Sequence, residues 1–284
     1  MTSPIIQTMF HQTEKNRSSI LGIFCLSLIF SGLLNFSHAF AQEDVAKNFR
    51  FGIKMSPNVS WFAPFDKKKL QSDGASLKFS YGLITEFRLN KSASFATGLE
   101  MNYSGGTLSF TPTDSVFYVS DEELPAGSYS NFFIAKRKYQ MRYVDIPLTM
   151  KLRTPEIGSM TYFGQIGANL SIRTKVKSVD DGELVNVTVS QDSLATVKVT
   201  RELLTIEDVD ITKDVNFFRV GLNIGFGLEY NLIGTTMLTT SLNFYQGFTN
   251  VLKGESDFLK DKKGRPYEQS VKNHFFMINV GLLF

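Results

Sequence analysis

Residues that carry chemistry are scarce in this 284-residue chain, which has one cysteine, three histidines and eight prolines. Cys25 lies in an apolar stretch near the N-terminus with Phe24, not a small residue, before it, so neither a disulfide nor lipoprotein processing at that position is expected. His11 and His38 fall before Gln42, which leaves His274 as the one histidine of the remaining chain. Catalytic triads and histidine metal clusters thereby lose their central member. Glycine-rich phosphate loops, metal-ligand spacings and nucleophile elbows are missing too, so no enzyme activity, cofactor or metal is expected. Charge is nearly balanced, 30 Lys+Arg against 27 Asp+Glu for a formal +3, and without a basic stripe nucleic acid is not an expected partner. Past Gln42 no apolar run approaches the about eighteen residues a membrane helix requires.

The N-terminus has the parts of a secretory leader: Lys15 and Arg17, an apolar stretch over 20–34, then Ala39-Phe40-Ala41 as a small-x-small cleavage site. The expectation is a signal peptide over 1–41 and a single domain over 42–284, the alternative being an uncleaved anchor. Hydrophobic residues make up 43% and aromatics 13% of the chain, enough for a packed structure. What organises them is a period of two. Leu77, Phe79, Tyr81, Leu83, Phe87 and Leu89 alternate with Lys78, Ser80, Gly82, Glu86 and Arg88, one face apolar and the other charged. Similar runs at 49–60, 94–111, 137–153, 160–176, 216–230, 236–248 and 271–284 bring the strand count to eight.

The connections between these runs alternate in length. Those over 90–93, 154–159 and 231–235 are short, and those over 61–74, 104–136, 177–215 and 249–270 are long. Transmembrane barrels alternate short periplasmic turns with long external loops, whereas a soluble β-sandwich also alternates its residues but need not alternate its turns. The predicted fold is therefore an all-β, eight-stranded antiparallel transmembrane up-and-down β-barrel after a cleaved signal peptide, in the cell outer membrane with both mature termini periplasmic. Aromatics near strand ends, among them Phe79, Phe87, Tyr103, Tyr162 and Phe276, read as two interfacial girdles, with His274 in the loop-side one. In the last strand Phe276, Ile278, Val280, Leu282 and Phe284 share a face, and the terminal Phe284 reads as a signal for the insertion machinery.

Strand registers assign lumen charges that must pair, because an eight-stranded barrel is just wide enough for its own side chains. The positive set is Lys78, Arg88, Arg142, Lys151, Arg173 and Arg219; the negative set is Glu86, Glu100, Asp145 and Glu229. The expected arrangement has Glu86 and Glu100 sharing Arg88 or Arg142, with an ion path through the lumen as the alternative. Loops hold the remaining room for function. Val185, Val187 and Val189, then residues 190–193, then Val197 and Val199 read as a projecting hairpin. Lys67, Lys68 and Lys69 beside Trp61, Phe62 and Phe65 read as a solvated face or as a lipopolysaccharide or partner contact.

Residues Tyr143-Val-Asp-Ile-Pro-Leu-Thr-Met-Lys151 resemble the Tyr-hydrophobic-acidic-Ile-Pro-Leu strand of PorT-like outer-membrane barrels of Bacteroidetes. The segments from Tyr162 to Ser171 and from Gly225 to Tyr230 resemble that family's following strand and its glycine-rich strand. The resemblance implies an integral outer-membrane barrel and allows an accessory role in a type IX secretion or envelope assembly. An adhesion or ligand-binding barrel acting through its loops is the alternative, a small pore a weaker one, and an outer-membrane acyltransferase or protease the weakest. Pro147 lacks the N–H a ladder needs, so a bulge or a strand distortion is expected there, with Asp145 and Lys151 pointing inward beside it.

Overall fold

A computed structural model describes residues 49–112, 115–119, 129–189 and 197–284; the predicted leader and the tip of the predicted hairpin, 190–193, lie outside the described residues. Alternation dominates and the chain answers with strands: β1 (Phe49–Pro64), β2 (Leu70–Ser72), β3 (Ser76–Arg88), β4 (Ala93–Phe110), β5 (Phe117–Val119), β6 (Tyr129–Arg153) and β7 (Met160–Val189). After these come β8 (Val197–Asp210), β9 (Phe218–Ile233), β10 (Thr236–Gly247), β11 (Glu255–Lys260), β12 (Pro266–Glu268) and β13 (Val271–Leu283). No described helix is long and apolar enough to cross a membrane, which bears on helices and not on strands.

Eight of the strands close a ring. Each of β1, β3, β4, β6, β7, β9, β10 and β13 is bonded to the next, and β13 returns antiparallel to β1, from Gly52↔Leu283 to Pro64↔Val271. Closure leaves the ring no edge, so the backbone groups are satisfied between strands as a lipid environment demands. The seam reaches the last residue: Phe284 N–H donates to Phe51 O at 2.7 Å, and Phe284 presents its ring outward.

Outside, the ring is apolar. Phe51, Ile53 and Met55 of β1, Leu83 and Phe87 of β3, Leu148 and Leu152 of β6, Phe226 of β9 and Ile278 of β13 are all exposed. A strand crosses a bilayer in about 9–11 residues, which matches the outward run on β6 from Val144 to Leu152, capped by Arg142. Aromatics ring the loop end of this band, where Trp61 packs with Phe276 at 5.6 Å and His274 at 6.2 Å between ring centres, while Tyr81 and Tyr103 lie 6.4 Å apart. His274 thus occupies an interfacial ring.

Of the two arrangements expected at Pro147, the strand shows a local distortion of the ladder and not a bulge. The β4–β6 register is constant from Ala93↔Leu152 to Ser109↔Lys136, with a break in the ladder only between Thr97↔Leu148 and Glu100↔Asp145. The strand absorbs the missing donor by dropping ladder bonds opposite Gly98, without inserting a residue. The irregularities lie higher, where the β6–β7 register shifts between Ile134 and Lys136 and between Arg142 and Tyr143, leaving Ala135 and Thr174 as extra residues.

Among the described residues, the long connections over 104–136 and 177–215 are largely strand, not loop. β6 and β7 run on past the apolar band as 25- and 30-residue strands, and β8 pairs with β7 from Val189↔Val197 to Lys177↔Asp210. At about 3.3 Å per residue, β7 has a contour of about 100 Å, far more than a bilayer needs.

Candidate functional site: a filled lumen and a protruding sheet

Polar side chains fill the lumen in three layers. At the turn end, Lys151 Nζ donates to Glu229 Oε1 at 2.6 Å and to Glu86 Oε2 at 3.0 Å. Arg153 donates from Nε to Glu229 Oε2 at 2.9 Å, from Nη1 to Ser94 Oγ at 2.6 Å, and from Nη2 to Glu86. Two buried cations thus meet two buried carboxylates and the cluster is neutral, with the Phe163 ring 4.2 Å from Lys151 Nζ. Midway, Lys54 pairs with Glu100 at 2.6 Å and Asn102 Nδ2 donates to Asp145 Oδ2 at 2.8 Å. A side-chain ladder continues from Ser56 Oγ to Asn279 Oδ1 at 2.6 Å, from Asn279 Nδ2 to Asn243 Oδ1 at 2.9 Å, and from Asn243 Nδ2 to Asn223 Oδ1 at 2.8 Å.

Above this ladder sits Arg219. It donates from Nη1 to Asn273 Oδ1 at 2.9 Å and to Ser104 Oγ at 3.0 Å, lies 3.6 Å from Asp145, and is walled by the rings of Tyr143, Tyr245 and Phe275, the nearest 4.0 Å away. One cavity of about 40 Å³ lies between these layers, beside Lys54, Glu100 and Asn223, with room for about two waters. Such an arrangement neutralises and rigidifies the interior.

Beyond the lumen the loops build a hydrophobic cap over its mouth. Phe62, Leu108, Phe132, Met141, Val251 and Leu259, from five parts of the chain, share one buried cluster. Inside it Arg137 makes a bidentate pair with Asp180, Nε to Oδ1 at 2.7 Å and Nη2 to Oδ2 at 2.6 Å. Burial pushes the neighbouring Tyr139 hydroxyl up to about 12, against the opposing pull of Arg137. In the turn after β11, side-chain hydrogen bonds from Arg265 and then backbone N–H groups hold the Asp261 carboxyl down at about 2.

Of the predicted lumen charges, Glu86, Glu100, Asp145, Lys151, Arg219 and Glu229 are buried and turned inward. Arg142 is not. Odd-numbered residues of β6 face the lumen from Arg137 to Arg153, so Arg142, three positions from Asp145, must face out, where its guanidinium lies 5.1 Å from the centre of the Tyr103 ring. Arg173 is the last inward residue before the bulge at Thr174; it sits at the mouth and donates to the carbonyls of Thr212 and Val215. Arg88 is half-buried at the turn end, and Lys78 half-buried at the mouth. Glu86 and Glu100 therefore share neither Arg88 nor Arg142: Glu86 belongs to Lys151 and Arg153, and Glu100 to Lys54. Sequence reasoning missed Lys54 and Arg153, although each has the parity of its inward neighbours. In the first loop Phe62 enters the cap and Lys69 stands 3.7 Å from Glu268, so the lysine run is not one free patch.

The second feature is the sheet beyond the band. β8 is bonded to β7 on one side and to no strand among the described residues on the other, and it carries exposed Val197, Val199 and, at 86% exposure, Leu203. A free edge of fourteen residues is an open template for another strand.

Residues 40–253 match the family described as outer membrane protein beta-barrel domain. The chain belongs to that family. Its apolar exterior and closed ring are those of an outer-membrane barrel, and β13, past the end of the match, completes the same ring. Among solved structures the chain is similar to OprG from Pseudomonas aeruginosa (8% identity, 84% of this chain and 95% of that one, TM-score 0.40). It is also similar to Neisserial surface protein A (10%, 81% and 95%, 0.36) and to Ail, the attachment invasion locus protein of Yersinia pestis (12%, 84% and 99%, 0.31). No curated protein matches it.

Proposed function

We propose that this barrel is a non-conducting, non-enzymatic outer-membrane anchor that offers the free edge of β8 to an extended segment of a partner protein. The observation that carries this reading is the fourteen-residue unpaired edge with Leu203 exposed on a sheet standing clear of the apolar band. Strand addition gives affinity through main-chain hydrogen bonds and specificity through alternate side chains. On this reading the turn end and both mature termini are periplasmic, the sheet projects outside the cell among lipopolysaccharide, and Phe284 serves the insertion machinery. The PorT-like resemblance of residues 143–151 adds an envelope or type IX secretion assembly as the source of the partner; an adhesion partner would use the same edge. The pore reading needs a continuous water path, and against it stands a lumen whose cavity is about 40 Å³.

A photo-crosslinker at the exposed Val199 of β8 in native cells should yield one defined adduct, a crosslinker at the lipid-facing Leu148 should not, and adding Leu203→Lys to the Val199 crosslinker should abolish capture without changing the melting temperature. Equal capture from both positions, or discrete conductance steps from purified protein in planar bilayers, would overturn the proposal.

A further inference from the structure

A second surface lies on the opposite edge of β7, facing outward at the loop end of the apolar band. There Arg142 stands directly opposite Lys175 across the β6–β7 pair, with Lys138 two outward positions further along β6 and Lys177 at the next outward position along β7. Like charges placed directly across strands repel. The bulge at Thr174 creates the clash: it reverses the parity of β7, so Lys175 and Lys177 turn outward where unbroken alternation would turn them in. Lys78 completes a hollow of about 390 Å³ that also holds Tyr103, Arg142, Lys175, Lys177 and Asp208.

Other cations on this extension have acids: Lys136 meets Asp73 at 2.6 Å, Lys177 meets Asp208 at 2.8 Å, and Arg201 meets Glu183 at 3.6 Å. Lys78, Lys138, Arg142 and Lys175 form no ion pair among the described residues; Asp210, within electrostatic reach of Lys175, is held chiefly by Thr212. Height decides what such a cluster meets. Val144, Ile146, Leu148, Met150 and Leu152 follow Arg142 outward along β6, and Tyr81 and Tyr103 form the aromatic belt beside it, so the cations sit at headgroup level.

We infer that Lys78, Lys138, Arg142 and Lys175 form a binding site for the phosphate groups of a phosphorylated lipid in the adjoining leaflet. Arg142, stacked on Tyr103, presents its guanidinium fork to one phosphate, and the lysine ammonium groups neutralise the remaining charge. The site rests on the membrane reading of the band but not on which leaflet the loop end faces, and not on the partner edge of β8.

The test uses the full barrel in detergent micelles, where leaflet orientation plays no part, with diphosphoryl lipid A as probe, zwitterionic phosphatidylcholine, whose net charge is zero, as control, and retained lipid read by native mass spectrometry. Wild type should retain lipid A over phosphatidylcholine. Arg142→Gln with Lys175→Gln should weaken retention by about thirtyfold, from two charges near a headgroup. Lys262→Gln with Lys263→Gln, on a distant turn, should change nothing, and Arg142→Lys, which keeps the charge but loses the fork and the stacking on Tyr103, should bind between the wild type and the double glutamine variant. All four target side chains lie outside the lumen and cap cores, so heat-modifiable gel mobility should confirm folding of each variant. Unchanged retention by the double glutamine variant overturns the site, and so does displacement of the lipid by excess inorganic phosphate, which would mark a soluble-anion site.

Discussion

Replacing Lys151 by Met removes the pivot of the turn-end cluster. The aliphatic length is nearly kept, but two charge-assisted hydrogen bonds, at 2.6 and 3.0 Å, are lost. Glu86 and Glu229 then keep only Arg153 as a hydrogen-bonded partner among the described residues, with Arg50 acting on them at longer range, so the direct contacts of two almost wholly buried carboxylates carry one uncompensated negative charge. Removing one partner of a buried pair costs about 3–5 kcal/mol, because the stranded charge keeps its desolvation penalty. Adding Glu229→Gln restores neutrality by leaving one carboxylate on one guanidinium, so the double variant should be less destabilised than the sum of its singles, with a coupling of about 1–3 kcal/mol. Trp61 is the sole tryptophan and lies in the loop-side aromatic belt, so its emission reports unfolding from lipid vesicles in urea without added labels. Arg142→Met is the contrast: on the outer wall, it should shift stability by less than about 0.5 kcal/mol. A loss under about 1 kcal/mol for Lys151→Met, or strict additivity with Glu229→Gln, would refute the neutral-cluster account.

Tyr139 should titrate late: its hydroxyl is raised above 10.0 to about 12, so its contribution to cap stability is complete below about pH 10 and is lost as pH rises toward 12. Ultraviolet titration of wild type against Tyr139→Phe checks this, and a difference spectrum with a midpoint near 10 contradicts the burial argument. Asp261, lowered from 3.8 to about 2, stabilises its turn above about pH 4 and releases it as pH falls through 2; a carboxyl carbon midpoint near 4 by NMR would refute the hydrogen-bonded turn. At Gly221 a Cβ would overlap the Tyr245 ring, so Gly221→Val should cost about 1–3 kcal/mol in urea unfolding and loosen the aromatic wall around Arg219, whereas an unchanged midpoint would mean that the ring can move aside freely.

The barrel was legible because a lipid-facing wall and a polar interior impose one rule on every strand. Parity then placed Glu86, Glu100, Asp145 and Glu229 without any knowledge of their partners. It failed at Arg142 for a reason the residues already contained: Asp145 and Lys151 share an odd parity that excludes an even neighbour unless a residue is inserted, and Pro147 proved able to stay in register. The same parity would have found Arg153. Pairings were not legible, since which cation reaches Glu86 depends on the stagger of strands around the ring, and β6 meets β3 only across the lumen. Nor was the cap, whose members come from segments as distant as Phe62 and Leu259 and carry no shared period.

Filling and capping also bear on each other. A lumen of Lys, Arg, Glu and Asn side chains open at the loop end would draw water down to the Arg219 layer; the hydrophobic cluster above it excludes that water and so strengthens every hydrogen bond beneath. The strands that supply the cap, β6 and β7, must overrun the membrane to do so, and once they overrun it one edge has to end somewhere. In this chain it ends at β8. The exposed edge follows structurally from closing the barrel with its own wall, and Leu203 marks where that edge meets solvent. If the edge were only a by-product, a charge at Leu203 would alter no interaction of the protein in its native membrane, which is the outcome the crosslinking experiment is built to detect.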